Sequence, residues 1–240
     1  MKLLIFQHVP HEHPGYITDY AAKNNIELTV IELWKKYTLP DYKNFDGLII
    51  MGGPMGVYEN EEKFPSKLDE VNYIKNAIDK IPVIGFCLGS QLLAYALGGK
   101  VAPNFIDGKI RKEIGYYDIE LTGEGQVDHI FRDFSSPLKV LQWHGDTFSL
   151  PENAVLLATS PDCKNQAFRF GVMAYGTLFH FEFTPEMVSR QNEIDKDWIN
   201  KDFSFDKNQV IAQSKDYKIL MEKQCEIIMN NFLSLTKNGK

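Results

Sequence analysis

Apolar and polar positions follow two rhythms along the first hundred residues. Leu3–His8, Leu48–Met51 and Val83–Ile84 are short apolar runs, the pattern of strands buried on both faces. Glu27–Glu32 alternates instead, with Ile26, Leu28 and Val30 set against polar neighbours. Helical periods lie between these runs. Gly15–Asn24 follows Pro14, and Ser66–Lys80 sets Leu68, Val71, Ile74 and Ile78 along one face, with Ser66 and Asp69 at capping-box spacing. Gln91–Leu97 is an apolar helix stopped by Gly98-Gly99. Short strands separated by helices predict a parallel sheet with right-handed crossovers, and a site at the carboxyl ends of its strands.

After Gly99 the pattern becomes strand-rich. Lys109–Leu121, Lys139–His144, Val155–Ser160, Gln166–Phe170 and Val172–Phe179 read as strands joined by short turns, as in a mixed sheet edge or a small antiparallel layer. Helix returns from Pro185, and Asn208–Leu233 carries apolar residues near helical period. Between them Ser189–Lys207 is polar, with Trp198, Phe203 and Phe205 as isolated aromatics that either anchor the segment to its own core or serve as a cap or docking patch. The expected organisation is one domain over residues 1–187 and a helical extension over 188–240 packed on it.

Composition narrows the function classes. The 240 residues are 44% hydrophobic and 24% charged, ordinary for a globular chain with a full core. A net charge of −6 with no basic cluster argues against nucleic acid, and no stretch has the length of a membrane span. Three cysteines, Cys87, Cys163 and Cys225, form no C-x-x-C pair, so a disulfide framework is not expected and a reducing cytoplasm is the expected address.

The chemistry concentrates at Gly85-Phe86-Cys87-Leu88-Gly89, a Gly-x-Cys-x-Gly turn between strand and helix with the form of a nucleophile elbow. Its glycines leave room beside a tight turn, and the helix N-terminus favours the Cys87 thiolate. A nucleophilic cysteine needs a base. Of the six histidines, His144 and His180 end predicted strands, and only His180 has a carboxylate two residues on. In extended chain those positions share a face, so Glu182 reaches the His180 imidazole. His11 and His13 lack the further ligands that a metal site needs, and no metal is expected.

Gly52-Gly53-Pro54, Gly85-x-Cys87-x-Gly89-x-Gln91, Trp143-His144-Gly145-Asp146 and His180-x-Glu182 together resemble the class I, triad-type glutamine amidotransferases, and most of all the GMP synthetase glutaminase domains and their stand-alone relatives. The likeness runs to about Met187 and implies a flavodoxin-like α/β fold: a mostly parallel sheet flanked by helices, with a small antiparallel part. Two positions depart from the family pattern: Phe181 stands where a proline is usual, and Leu178 where many members have glutamine. A second group of cysteine hydrolases with the same sheet places histidine directly after the nucleophile, where this chain has Leu88.

The resemblance implies that Cys87 attacks the glutamine side-chain amide to form a γ-glutamyl thioester, with His180 as base and Glu182 fixing its tautomer. Backbone N–H groups of Gly53 and Leu88 would hold the oxyanion. Gly52, Gln91, His144, Gly145 and Asp146 would line the substrate. Gln91 also reads as an ordinary polar helix residue, and Asp146, suited by charge to the α-ammonium, also reads as a turn aspartate. No cofactor is implied. The expected partner is glutamine or another γ-glutamyl compound. The chain has no P-loop. Ammonia would therefore pass to a separate ATP-dependent synthetase subunit, or the chain would act as a stand-alone γ-glutamyl hydrolase.

Overall fold

The computed structural model describes residues 1–200 and 206–237, so Phe203 and Phe205 lie outside the described residues. The first half alternates as the pattern predicts: β1 (Lys2–Gln7), α1 (Tyr16–Lys23), β2 (Glu27–Glu32), β3 (Gly47–Ile50), α2 (Lys67–Ala77), β4 (Val83–Phe86) and α3 (Leu88–Ala96). The strand-rich middle supplies β5 (Val101–Pro103), β6 (Phe105–Ile106), β7 (Lys109–Ile110), β8 (Glu113–Leu121), α4 (Gly123–Val127), β9 (Leu138–His144), β10 (Asp146–Phe148), β11 (Val155–Thr159), β12 (Ala167–Phe170) and β13 (Ala174–Thr177). Four helices follow: α5 (Pro185–Ile194), α6 (Lys196–Asn200), α7 (Lys207–Asp216) and α8 (Lys218–Lys237).

The main sheet runs β2-β1-β3-β4-β13-β12-β11-β8-β9. Its β2-β1-β3-β4-β13 half is parallel and the remainder antiparallel, while β10–β5 and β6–β7 form two small antiparallel pairs. The central strands are apolar throughout because both faces are covered. Leu3, Ile5, Ile49, Ile84 and Phe86 face α1 and α8, packing with Ile17, Ile228 and Phe232. Leu4, Phe6, Leu48, Ile50 and Val83 face α2 and α3, packing with Ile74, Leu92 and Leu93. A third cluster joins Trp143 and Ile114 to Met187, Val188, Ile199 and Val210 beside the carboxyl ends of the strands.

Several expectations need correction. No capping box opens α2: Ser66 is itself helical, and its hydroxyl donates to Glu70 Oε1 at 2.7 Å. Leu68 is 48% exposed, and the buried face carries Glu70 and Tyr73 alongside Val71 and Ile74. The polar stretch after Ser189 is helical to Ile194, where α5 starts from a Thr184 cap with Pro185 in its first turn. The single helix expected over Asn208–Leu233 divides at Tyr217. The two pieces pack separately: Val210 belongs to the third cluster, and Ile228 and Phe232 to the first.

Candidate active site

Four adjacent parallel strands deliver the site. β1 leads into His8, β3 into Gly52, β4 into Cys87 and β13 into His180. The elbow is as tight as its glycines suggest. A Cβ on Gly85 would lie 2.4 Å from the Gly89 carbonyl, and one on Gly89 would lie 2.1 Å from the Ile50 carbonyl oxygen. Cys87 itself has φ 48° and ψ −108°, a region that L-residues seldom occupy. Its N–H is tied to the Thr177 carbonyl at 2.8 Å.

Beyond β13 the chain is pinned by the His180 N–H to the Leu141 carbonyl, 2.9 Å away. His180 Nδ1–H donates to Glu182 Oε1 at 2.7 Å, and on its other side the ring interacts electrostatically with Cys87, whose thiol donates to the Trp143 carbonyl at 3.7 Å. The His180 and Glu182 side chains are buried. Burial lowers the His180 pKa, but the Glu182 charge and the neighbouring Cys87 outweigh it and hold the imidazole well above its ordinary value. Burial pushes the Cys87 thiol up, against the pull of His180. This runs against the expected helix-stabilised thiolate, because desolvation is the larger effect.

The Gly52-Gly53 turn has a buried support. His8 Nδ1 lies 3.0 Å from the Gly52 carbonyl and Nε2 lies 2.8 Å from Glu70 Oε2. Facing an acceptor on each nitrogen, the ring is satisfied only as imidazolium. Burial opposes that charge, yet Glu70 overcomes it and the His8 pKa is raised. A Cβ on Gly53 would lie 2.8 Å from Leu88 Cδ2 and 3.0 Å from His8 Cβ. Neither His8 nor Glu70 stood out in the sequence. Their partnership spans 62 positions, and Glu70 shows locally only as a polar residue on an apolar face.

The 143–146 turn brings Gly145 and Asp146 to the same cavity as Gly53, Cys87 and Gln91. His144 lines it too: Nδ1 lies 3.0 Å from the Asp146 carbonyl, while Nε2 stands 3.1 Å from Glu113 Oε2 without the geometry of a hydrogen bond. Glu113, His144 and Cys163 form a second buried group whose ligand-type atoms lie within 4.8 Å of one another. There the Glu113 carboxylate accepts from Ser160 at 2.7 Å and Gln166 at 2.6 Å, while burial pushes the Cys163 thiol up to about 11. Burial likewise raises the Asp146 carboxyl, against the pull of the neighbouring Tyr58 hydroxyl.

The cavity, about 270 Å³, has walls that the sequence reading missed: Glu12, Tyr58, Gln191 and Asp195, together with Trp198 from the segment of uncertain role. Glu12 had a legible signal, since it lies in the loop at the carboxyl end of β1. Gln191 and Asp195 had none, because α5 returns to the site only in the folded chain.

Residues 15–196 match the glutamine amidotransferase class-I family. The chain belongs to this family. It is accordingly an amidohydrolase that uses a cysteine nucleophile, and the family's chemistry is hydrolysis of the glutamine amide with transfer of ammonia. A glutamine amidotransferase-like protein of Salmonella typhimurium, YfeJ, is 33% identical over 192 residues, 78% of either chain. The glutamine-hydrolysing GMP synthase of Ectopseudomonas mendocina is 34% identical over 146 residues, 58% of this chain but only 25% of that enzyme. The crystal structure of a glutamine amidotransferase from Thermotoga maritima superposes with a TM-score of 0.85 at 30% identity, covering 97% of this chain and 98% of the other. Among the described residues no helix is long and apolar enough to cross a membrane.

Proposed function

We propose that this amidotransferase domain cleaves γ-glutamyl amides, glutamine among them, through Cys87, His180 and Glu182. The carrying observation is one line of side chains: the Cys87 thiol on the cavity wall, His180 coupled to it, and Glu182 Oε1 2.7 Å behind the ring. Cys87 Sγ adds to the amide carbonyl while His180 takes the thiol proton. The N–H groups of Gly53 and Leu88 hold the oxyanion. Collapse breaks the C–N bond as His180 protonates the leaving nitrogen, and the γ-glutamyl thioester remains. Water then attacks with His180 as base and glutamate departs.

Gln91, Gly145 and Asp146 line the same cavity and form the substrate wall, with Asp146 suited to the α-ammonium. Gly52 positions its neighbour Gly53 through its carbonyl bond to His8. His144 lines the cavity beside them, and its Nδ1, 3.0 Å from the Asp146 carbonyl, holds the 143–146 turn. The Glu113–His144–Cys163 group is a structural brace, because Cys163 does not line the cavity. In the amidotransferase reading, ammonia passes to a separate ATP-dependent synthetase subunit. A second reading, hydrolysis without a synthetase, is favoured by the carboxylates of Glu12 and Asp195 on the wall, which ammonia release does not need.

The test is glutamate release from glutamine and from γ-glutamyl amides by the purified chain, compared with Cys87→Ala and Cys163→Ala. Loss of turnover in the first and its retention in the second is expected. The reverse pattern would move the nucleophile to Cys163.

A further inference from the structure

The charged groups on the cavity wall are of one sign. Glu12, Glu59, Asp146 and Asp195 line it, and no lysine or arginine does so among the described residues. Lys112 comes near, but its ammonium sits over the Trp198 ring at 4.8 Å and donates to the Trp198 carbonyl.

Two of these wall residues are short of hydrogen bonds. Glu12 is 4% exposed, and its one side-chain bond among the described residues is a long 3.4 Å contact from Gln191 Nε2 to Oε1. A carboxylate removed from water ordinarily collects several donors. Gln191, 2% exposed, gives its amide N–H groups to Glu12 and, at 2.7 Å, to Asp195 Oδ2. That fixes the amide's orientation, and its Oε1 is a buried acceptor with no partner among the described residues. Burial pushes the Glu12 carboxyl up to about 7, and the neighbouring Asp195 charge adds to the rise against the pull of His180. Among the described residues the wall therefore holds a buried acceptor that lacks a donor, and the positive groups that pull on Glu12, His180 and His8, do not themselves line the cavity.

Its position is tied to the chemistry. A Cβ on Gly52 would lie 2.3 Å from Glu12 Oε2 and 3.3 Å from His180 Cε1, so the carboxylate stands beside the ring that protonates the leaving nitrogen. We propose that Glu12, Gln191 and Asp195 form a leaving-group subsite for a second, protonated amine, making γ-glutamyl amides of short diamines the substrate class. The proposal rests on the reading of Cys87 as the acylated nucleophile. An ammonium brings three N–H donors and one positive charge, which answers the Glu12 and Gln191 acceptors together. An amino-acid leaving group would bring a carboxylate against the same wall. The reaction balances as γ-glutamyl-NH-R-NH3⁺ plus water giving glutamate and the doubly protonated diamine. The C–N bond breaks as Sγ acylates, and His180 supplies the proton. A cavity of about 270 Å³ suits a γ-glutamyl group carrying a short amine.

Three matched amides test this: γ-glutamyl derivatives of 1,3-diaminopropane, propylamine and 3-aminopropanoate. Calorimetry on Cys87→Ala measures binding without turnover. The diamine derivative is expected to bind at least tenfold more tightly than the propylamine one, and the aminopropanoate one most weakly. Adding the isosteric Glu12→Gln should reduce the diamine-to-propylamine ratio to below threefold. Equal affinities, an anionic preference, or a ratio that ignores Glu12→Gln would overturn the subsite. Failure of the nucleophile reading shows separately, as absence of glutamate release from all three amides by the wild-type chain.

Discussion

The Phe181 N–H donates to Glu182 Oε2 at 3.0 Å, while Oε1 of the same carboxylate accepts from His180. A proline, usual at this position in the family that the sequence resembles, has no N–H to give. In this chain both oxygens of the buried carboxylate are therefore engaged, and its orientation toward His180 is set from two sides.

Glu182→Gln follows from that geometry. A glutamine has one acceptor oxygen for two donors. If the oxygen meets the Phe181 N–H, the amide NH2 faces His180 Nδ1 and moves the ring proton to the side facing Cys87. The base is then lost. Turnover should fall about 10²–10⁴-fold, comparable with His180→Ala, in a steady-state assay of glutamate release. A loss below tenfold would show that Glu182 does not set the tautomer.

Cys87→Gly separates strain from chemistry. The φ of 48° with ψ −108° burdens any residue with a Cβ, and glycine relieves it. The glycine variant should be inactive yet more stable than Cys87→Ala by about 1–3 kcal/mol, read as a higher denaturation midpoint. Equal stability of the two would mean the elbow stores no strain.

Glu70→Gln leaves the buried His8 imidazolium without its counter-charge. Removing one partner of a buried pair costs about 3–5 kcal/mol, so the melting temperature should drop at pH 6. The His8 pKa is raised on folding, so the pair's contribution is full below the ordinary histidine value and fades as pH rises through the folded one. Melts of wild type and variant should converge at high pH. A gap independent of pH would assign Glu70 a packing role alone.

Glu12 acts in the opposite direction. Its pKa rises on folding from 4.5 to about 7, so the folded chain binds the extra proton between those values and loses stability as pH increases through them. The cost at pH 8 is roughly 3 kcal/mol, and Glu12→Gln should remove it. Denaturation from pH 4 to 8 should give a falling curve for wild type and a flatter one for the variant. Parallel curves would place the Glu12 carboxyl in contact with water.

Local pattern determined a good part of this protein. Apolar strands such as Leu48–Met51 announce two covered faces, Gly85 and Gly89 announce a turn with no room for Cβ atoms, and the i, i+2 spacing of His180 and Glu182 puts two side chains on one face. Each of these is a property of backbone period and steric size, which neighbouring residues carry by themselves. Tertiary structure decided the electrostatics. Whether Cys87 is held as thiolate, whether His8 is charged, and whether Glu12 is short of donors depend on what encloses them. The enclosing groups are far away in sequence: Glu70 is 62 positions from His8, and Gln191 is 179 from Glu12. The same holds for the division of the last helices at Tyr217, because Val210 and Phe232 enter two separate cores, each assembled from residues far apart in sequence. Burial is a sum over distant neighbours, so charge states and long-range packing appear only when the chain has closed.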